Sequence, residues 1–189
     1  MFITVSGPPG SGKSTTAAAL AEQFGLEHTS GGDIFRGLAE EKGISLAELN
    51  ERAETDPAID RDLDRRLHEI ATDAEDLVLE SRLAGWLSGD HADFRIWLDA
   101  PVAVRAERIA EREDKSVEQA REETVEREAS EAQRYLEYYD IDIEDLSIYD
   151  VALNTARWGE DDVPELLASA IERHDPAVDE GKAPVGFEL

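Results

Sequence analysis

The stretch of sequence that decides the fold is Gly7-Pro8-Pro9-Gly10-Ser11-Gly12-Lys13-Ser14-Thr15. It fits the pattern GxxxxGK[ST], follows a short β-rich run at residues 2–6, and opens an Ala- and Leu-rich helical stretch. Glycines let the backbone fold into a nest whose N–H groups face phosphate oxygens, and the positive end of the following helix adds to that attraction. The stretch therefore predicts a P-loop that binds a nucleoside triphosphate.

Two side chains of this loop carry specific chemistry. Lys13 supplies a point charge to the β- and γ-phosphates, and the Ser14 hydroxyl is a ligand for Mg²⁺. The chain as a whole has a net charge of −26, which repels a nucleotide. A local concentration of positive groups must offset that repulsion, so we expect Lys13 to be essential and the ligands to be ATP and Mg²⁺.

Strands alternate with helices along the chain. The predicted strands are residues 2–6, 77–79, 94–98 and 151–153, and the predicted helices are 15–24, 34–42, one opening at 45, 57–72, 101–113 and 161–173. A Gly-Gly turn is expected before the second helix, and the long charged helical region at 116–139 is expected to be broken. This alternation predicts an α/β fold with a parallel sheet covered on both faces and ligands at the carboxyl ends of the strands.

The composition excludes several classes of protein. Asp and Glu total 45 against 19 Lys and Arg, which argues against nucleic acid as a partner, and the absence of cysteine excludes disulfides, thiolate nucleophiles and Cys-ligated zinc. Acid excess with few lysines resembles proteins of salt-loving archaea, although an acidic face for a basic protein partner is the alternative. No long apolar segment or signal peptide is evident, so we expect a soluble cytoplasmic protein without a membrane partner.

Several charged residues lie well beyond the P-loop. Asp33 and Arg36 follow the Gly-Gly turn, and a second phosphate is one candidate ligand for them; a capped helix with an exposed arginine is the alternative. Glu80 and Arg82 come directly after the 77–79 strand, where a carboxylate is placed to hold Mg²⁺ through water and an arginine to clamp phosphate. A surface ion pair is the alternative there.

The third group is on the long helical region. Arg127 and Arg134 are seven residues apart and therefore share one helix face. Glu123 and Glu131 lie four residues on either side of Arg127, which is also the pattern of a salt-bridged helix exposed to solvent. Spacing alone leaves both interpretations open.

Six segments taken in order resemble an archaeal-type cytidylate (CMP) kinase: GPPGSGKST, SGGDIFR, LESRLAGW, IWLDAPVAVRAERIAERE, REASEAQRYLEYYDIDIEDLSIYD and LNT. The resemblance runs from about residue 1 to 173. It implies a three-layer nucleoside monophosphate kinase fold with a five-stranded parallel sheet. It also implies one kinase domain over 1–174, with a monophosphate-binding arm at about 30–74 and a helical lid at about 114–140. Residues 175–189 match no motif of the family and contain proline and glycine, which predicts a mobile tail or a strap.

The resemblance also implies roles for the charged residues. Lys13, Arg127 and Arg134 would act on the transferred phosphoryl group, and Arg108 and Arg112 would lie near the donor nucleotide. Asp33 and Arg36 would belong to the arm and Arg82 to the acceptor phosphate. Glu80 stands where related adenylate kinases usually carry aspartate. The resemblance therefore supports a role for Glu80 in binding Mg²⁺ less strongly than it supports the other roles.

The implied reaction transfers a phosphoryl group from ATP to CMP or dCMP, and a monomer is expected. The alternatives are another small-molecule P-loop kinase, such as an adenylate kinase, or an ATP-dependent switch or assembly factor. GTPase motifs (NKxD, DxxG) and the LSGGQ signature of transporter ATPases are absent from the sequence. The cytosine preference therefore rests on the resemblance, because no spacing identifies residues that read the base.

Overall fold

Strands and helices alternate in the computed structural model, which describes residues 1–53, 55–73 and 75–186. In chain order the elements are β1 (Phe2–Ser6), α1 (Lys13–Phe24), β2 (Glu27–Ser30), α2 (Gly31–Lys42), α3 (Leu46–Ala53), α4 (Pro57–Asp73), β3 (Leu77–Glu80), α5 (Ala84–Leu87), β4 (Phe94–Asp99), α6 (Val102–Glu113), α7 (Val117–Tyr139), β5 (Val151–Asn154), a 3₁₀ turn (Thr155–Arg157) and α8 (Asp162–Glu172).

The five strands form one parallel sheet in the order β2-β3-β1-β4-β5. This confirms the predicted α/β fold with five parallel strands. The sequence pattern does not predict β2, because its four residues, EHTS, are polar and it lies at the edge of the sheet. β1 is central, so the P-loop that follows it emerges in the middle of the carboxyl edge of the sheet.

Side chains alternate between the two faces of the sheet, as the period of a β-strand requires. Phe2, Leu79 and Trp97 pack on one face, in the cluster that includes residues of α4 and α5. Ile3 and Val5 pack on the other face against α1 and α8. The sheet is therefore buried between two helical layers, which is the predicted three-layer arrangement.

Two local predictions are corrected. Residues 31 and 32 are the first residues of α2 and not a turn, because the Ser30 hydroxyl accepts a hydrogen bond from the Asp33 N–H and caps the helix one residue before them. α7 is unbroken over its 23 residues. It contains no glycine or proline, it is capped at Ser116, and it ends only where Asp140 adopts a left-handed conformation (φ 55°).

Helices also pack against one another in two smaller groups. α2, α3 and α4 share a small core of their own, which includes Leu38, Leu49 and Ile59. α6 and α7 form an antiparallel pair with a separate core around Ile109 and Ala120. The proposed arm spans the first group and the proposed lid includes α7; position 74, the end of the proposed arm, lies outside the described residues.

The segment after α8 crosses the amino edge of β4. The Lys182 ammonium group donates to the Asp90 carbonyl oxygen at 2.7 Å, the Arg95 guanidinium donates to the Ala183 carbonyl oxygen, and the side chain of Val185 is buried. Residues 182–185 therefore pack against the body of the protein, as a strap would. Positions 187–189 of the proposed tail lie outside the described residues.

Candidate active site

The P-loop is shaped by close backbone contacts. A Cβ atom at Gly7 would lie 2.0 Å from the Leu98 carbonyl oxygen, so only glycine fits between β1 and the end of β4. Gly10 has φ 77° and passes so close to the start of α6 that a Cβ would lie 2.8 Å from the Arg105 carbonyl oxygen. The Ser11 hydroxyl is buried without a hydrogen-bond partner in the described part of the chain. These contacts fix a cradle that suits phosphate oxygens.

Lys13 bends back over this cradle. Its ammonium group donates to the Pro8 carbonyl oxygen at 3.0 Å. Burial, with a further contribution from the positive charge of Arg82, lowers the pKa of Lys13 to about 8. A phosphate beside the ammonium group would reverse that shift, because an opposite charge favours the protonated form.

Ser14 and Glu80 meet at the end of β3. The Ser14 hydroxyl donates to the Glu80 carboxylate, with distances of 2.8 and 3.0 Å to its two oxygens, and Glu80 is buried. These are the hard oxygen ligands that Mg²⁺ prefers, and they stand beside the cradle. Within the described residues no group of three or more His, Asp or Glu side chains is arranged to hold a metal. Ser14 and Glu80 are therefore the residues that could hold Mg²⁺ at this site.

A buried carboxylate joins two of the predicted arginines. Glu131 of α7 accepts from the Arg82 Nε at 2.6 Å and from the Arg127 Nε at 2.7 Å. Burial alone would raise the pKa of Glu131, but the two guanidinium groups outweigh it and lower the pKa to about 2. The Arg127–Glu131 pair expected from spacing therefore exists, yet its carboxylate points into the cleft and not into solvent. The other carboxylate considered, Glu123, pairs with Lys115 on the exposed face.

The third arginine of this face is held by the arm helices. Arg134 donates through Nε to the Asp60 carboxylate at 2.6 Å and through Nη1 to the Ser130 hydroxyl at 2.6 Å. One turn further along α4, Asp64 accepts a hydrogen bond from the Tyr139 hydroxyl at 2.7 Å. α7 is thereby joined to α4 by two contacts between polar side chains.

These groups surround one cavity of about 280 Å³ at the carboxyl edge of the sheet. Most of the predicted site residues line it: Pro9, Gly10, Gly12, Lys13, Ser14, Thr15, Arg36, Glu80, Arg82, Arg112, Arg127 and Arg134. Gly7, Pro8 and Ser11 form the base of the loop behind it. The structure thus brings together, from five separate segments, most of the residues that the sequence singled out.

Three predicted residues lie differently from the others. Arg108 is behind the P-loop, where it donates to the Gly10 carbonyl oxygen at 3.2 Å and to the Thr155 hydroxyl at 2.9 Å. Asp33 forms an exposed ion pair with Arg36, and α2 is capped by Ser30, which is the alternative of a capped helix with an exposed arginine. Arg112 lines the cavity but is itself largely exposed and pairs with Glu113.

Sequence reasoning missed one buried arginine. Arg105 donates to the Ala100 carbonyl oxygen at 2.7 Å, to the Pro9 carbonyl oxygen at 3.2 Å and to the Glu128 carboxylate. It therefore connects α6, the P-loop and α7. The available signal was its position on the apolar face of α6, four residues before the buried Ile109.

The fold and the cavity define a P-loop kinase that acts on a small molecule. Shikimate kinase from Acinetobacter baumannii superimposes with a TM-score of 0.62 at 17% identity, covering 90% of this chain and 92% of that one, and a shikimate kinase from Bacteroides thetaiotaomicron has a TM-score of 0.63 at 15% identity, covering 91% and 98%. The sequence profile of the Cytidylate kinase-like family matches residues 2–157, and the chain belongs to this family.

Full-length relatives support this assignment. A cytidylate kinase from Halorubrum lacusprofundi is 69% identical over 98% of this chain and 96% of its own, and one from Pyrococcus horikoshii is 49% identical over 96% and 93%. Relatives from halophilic archaea agree with the acidic composition. In the described residues, none of the helices has the length and apolar character needed to cross a membrane.

Proposed function

We propose that the protein transfers the γ-phosphoryl group of ATP to CMP or dCMP, giving ADP and CDP or dCDP. The observation that carries this proposal is one cavity with a phosphate cradle at one end and, beside it, Arg82 and Arg127 converging on one buried carboxylate. Two guanidinium groups that share an anionic partner are placed to receive a second phosphate. The names of the full-length relatives support the same reaction.

The donor would bind at the P-loop. The backbone N–H groups of residues 9–15 would face the β- and γ-phosphates, with Lys13 above them. Arg108 would hold the Gly10 carbonyl of the P-loop in place from the side of the loop that faces away from the cavity. The exposed Arg112 would contact the donor nucleotide at the rim of the cavity. Ser14 and Glu80 would hold Mg²⁺, which neutralises phosphate charge when bound.

The acceptor would enter from the side of the proposed arm. Arg82, at the end of β3, would hold its phosphate, with Arg36 and Asp33 at the entrance. Because the second pKa of a phosphate monoester is about 6, the attacking oxygen is already ionised near neutral pH. No general base is therefore required, and catalysis consists of positioning and charge stabilisation.

The proposed lid would complete the site. Arg127 and Arg134 on α7 would stabilise the charge on the transferred group, and closure would exclude water that otherwise hydrolyses ATP. Arg134 is held by Asp60 in this structure, so it would exchange this carboxylate for the phosphate as the site closes. The Arg105–Glu128 pair would couple the position of α7 to the P-loop.

A coupled assay of ADP release tests the proposal. With ATP, Mg²⁺ and high KCl, we expect release to depend on CMP or dCMP and to be weaker with UMP, AMP and GMP. A preference for AMP would instead indicate an adenylate kinase. Release that is indifferent to every added monophosphate would indicate an ATP-dependent switch, and would contradict the kinase proposal.

The proposal also covers the oligomeric state and the cellular location of the protein. We propose a cytoplasmic monomer, with the cavity described above as its complete active site. Sedimentation of the active enzyme at assay concentration tests the monomer. Activity confined to a dimer fraction would contradict it.

A further inference from the structure

The end of the cavity formed by the arm helices does not have the chemistry of a phosphate site. Phe35, Leu63 and Leu67 supply apolar walls, and Asp60 and Asp64 supply carboxylates. Carboxylates repel phosphate, while apolar walls favour a flat, uncharged ring. This end of the cavity therefore suits a heteroaromatic base that presents a hydrogen-bond donor at its edge.

The two carboxylates differ in how they are paired. Asp60 is bound to Arg134. Asp64 is 4% exposed and has no ion pair in the described part of the chain; its single hydrogen bond there is from the Tyr139 hydroxyl to Oδ2. The other oxygen, Oδ1, thus remains an available acceptor, and Tyr139 holds the carboxylate in one orientation.

Keeping Asp64 in this position is costly. Burial raises the pKa of Asp64 to about 7, although the hydrogen bond from Tyr139 opposes the rise. An apolar side chain or asparagine would avoid this penalty. A buried carboxylate without an ion pair among the described residues, on the wall of a substrate cavity, is more easily explained by ligand recognition than by stability.

We infer that Asp64 selects the base of the acceptor by accepting a hydrogen bond at Oδ1 from the exocyclic 4-amino group of cytosine. Uracil carries a carbonyl oxygen at the same position. Because this oxygen and the carboxylate are both hydrogen-bond acceptors, they would repel each other, and UMP would bind less well. Carboxylates are the usual partners of this amino group in base recognition. The inference rests on the proposed function, and it names the residue that distinguishes CMP from UMP.

The first test is Asp64→Asn. A carboxamide both accepts and donates hydrogen bonds, so the variant should accept uracil as well as cytosine. We expect the ratio of kcat/KM for CMP to that for UMP to fall by roughly tenfold to a hundredfold, with the KM for ATP unchanged. Asp62→Asn is the matched control, because Asp62 lies on the same helix but pairs with Arg65 and Arg66 outside the cavity. A ratio that stays at the wild-type value in a folded Asp64→Asn variant would overturn the inference.

The second test needs no variant and so does not depend on folding. The wild-type enzyme is assayed with the CMP analogue that carries hydrogen in place of the 4-amino group. We expect its KM to exceed that of CMP by roughly tenfold or more, while the KM for ATP is unchanged. Equal KM values for CMP and the analogue would overturn the role of Asp64.

The assays distinguish a wrong role for Asp64 from a wrong proposed function. If the wild-type enzyme phosphorylates CMP but neither test changes the discrimination between bases, the role of Asp64 is wrong and the proposed function stands. If the wild-type enzyme phosphorylates no pyrimidine monophosphate, both are wrong.

Discussion

The two ends of the cavity are built by different means. At the P-loop end the backbone of the loop itself is held in place: Gly7 lies against the end of β4, and the side chains of Arg105 and Arg108 donate to carbonyl groups of the loop. At the arm end, side chains hold side chains, as in the contacts of Glu131 with Arg82 and of Asp60 with Arg134. The first arrangement is fixed before a ligand binds, whereas the second consists of ion pairs whose members can exchange partners.

This difference matches what each end would bind. A triphosphate of constant shape suits a rigid cradle of N–H groups. An acceptor that must enter and leave suits arginines whose charge is neutralised internally until a phosphate replaces the carboxylate. Glu131 and Asp60 would then serve as internal anions that keep the arginines in place, at the cost of competing with the substrate.

Lys13→Ala removes the cation that we propose for the β- and γ-phosphates at the P-loop end, and it should have the largest effect. We expect kcat to fall by at least roughly a hundredfold, because the group neutralises charge that develops during transfer. The fold should be unchanged, since the hydrogen bond that Lys13 makes among the described residues is to the Pro8 carbonyl oxygen of its own loop. Steady-state kinetics and circular dichroism measure the two effects. Lys42→Ala, at the exposed end of α2, is the control, and near-native turnover of Lys13→Ala would refute the role.

Glu131→Gln tests the exchangeable end. Replacing the carboxylate by an amide leaves two guanidinium groups without their shared charge, so we expect the free energy of unfolding to fall by about 2 kcal/mol. Sulfate should also inhibit the variant at lower concentrations than the wild type, because the freed arginines bind anions. Denaturant unfolding and inhibition assays measure these effects.

The control for this variant is Glu123→Gln, whose carboxylate pairs with Lys115 on the exposed face of the same helix. Exposed pairs contribute little, so its stability should be close to that of the wild type. The pKa of Glu131 is lowered, so its stabilising effect is present above the ordinary glutamate pKa and is lost as pH falls towards 2. A stability difference between wild type and Glu131→Gln that does not shrink on acidification would contradict this account.

The sequence predicted one end of the cavity better than the other, for a physical reason. The P-loop is a local motif, and its glycines, Lys13 and Ser14 act through contacts within a few residues or with the next strand. Asp60, Asp64 and Glu131 acquire their roles only when α4 and α7, some 70 residues apart in the chain, pack together. Helical periodicity alone also assigns Glu131 to a salt-bridged exposed face, and only the packing shows that it is buried.

The errors in the fold have similar causes. β2 was missed because an edge strand pairs on one side and needs no apolar run. The break expected in α7 is absent because a highly charged helix is stabilised by its neighbour α6 and not by its own composition. The Gly-Gly pair predicts a turn, yet Gly31 is helical, and glycine is needed there because a Cβ would lie 2.8 Å from the Cβ of Ser81.

Smaller effects should appear in the pH dependence of base selection. Asp64 is faced by Asp60 on its own helix and by Tyr139, Arg134 and Glu131 on α7, with Arg36 of α2 across the same cavity. With its pKa near 7, the carboxylate that accepts from cytosine is lost as pH falls. We expect the CMP-to-UMP ratio of kcat/KM to rise by roughly tenfold between about pH 6 and pH 8.

Using the ratio cancels the ionisation of the phosphate, which is common to both substrates. The Asp64→Asn variant should show a flat ratio across the same range. A wild-type ratio that is flat, or that falls with increasing pH, would show that the carboxylate does not read the base.

The smallest expected effect distinguishes the cavity from the outer surface. Molar KCl screens exposed carboxylates, since the Debye length is only about 3 Å at 1 M, but it screens buried pairs much less. The wild-type melting temperature should therefore rise by a few degrees from dilute buffer to molar KCl, in line with a gain of about 1 kcal/mol. Glu131→Gln should rise in parallel and keep its deficit, because the pair that it removes is buried. If molar KCl instead removed that difference in melting temperature, the contacts of Glu131 would behave as a surface ion pair. The claim that buried ion pairs hold the arm end of the cavity would then be wrong.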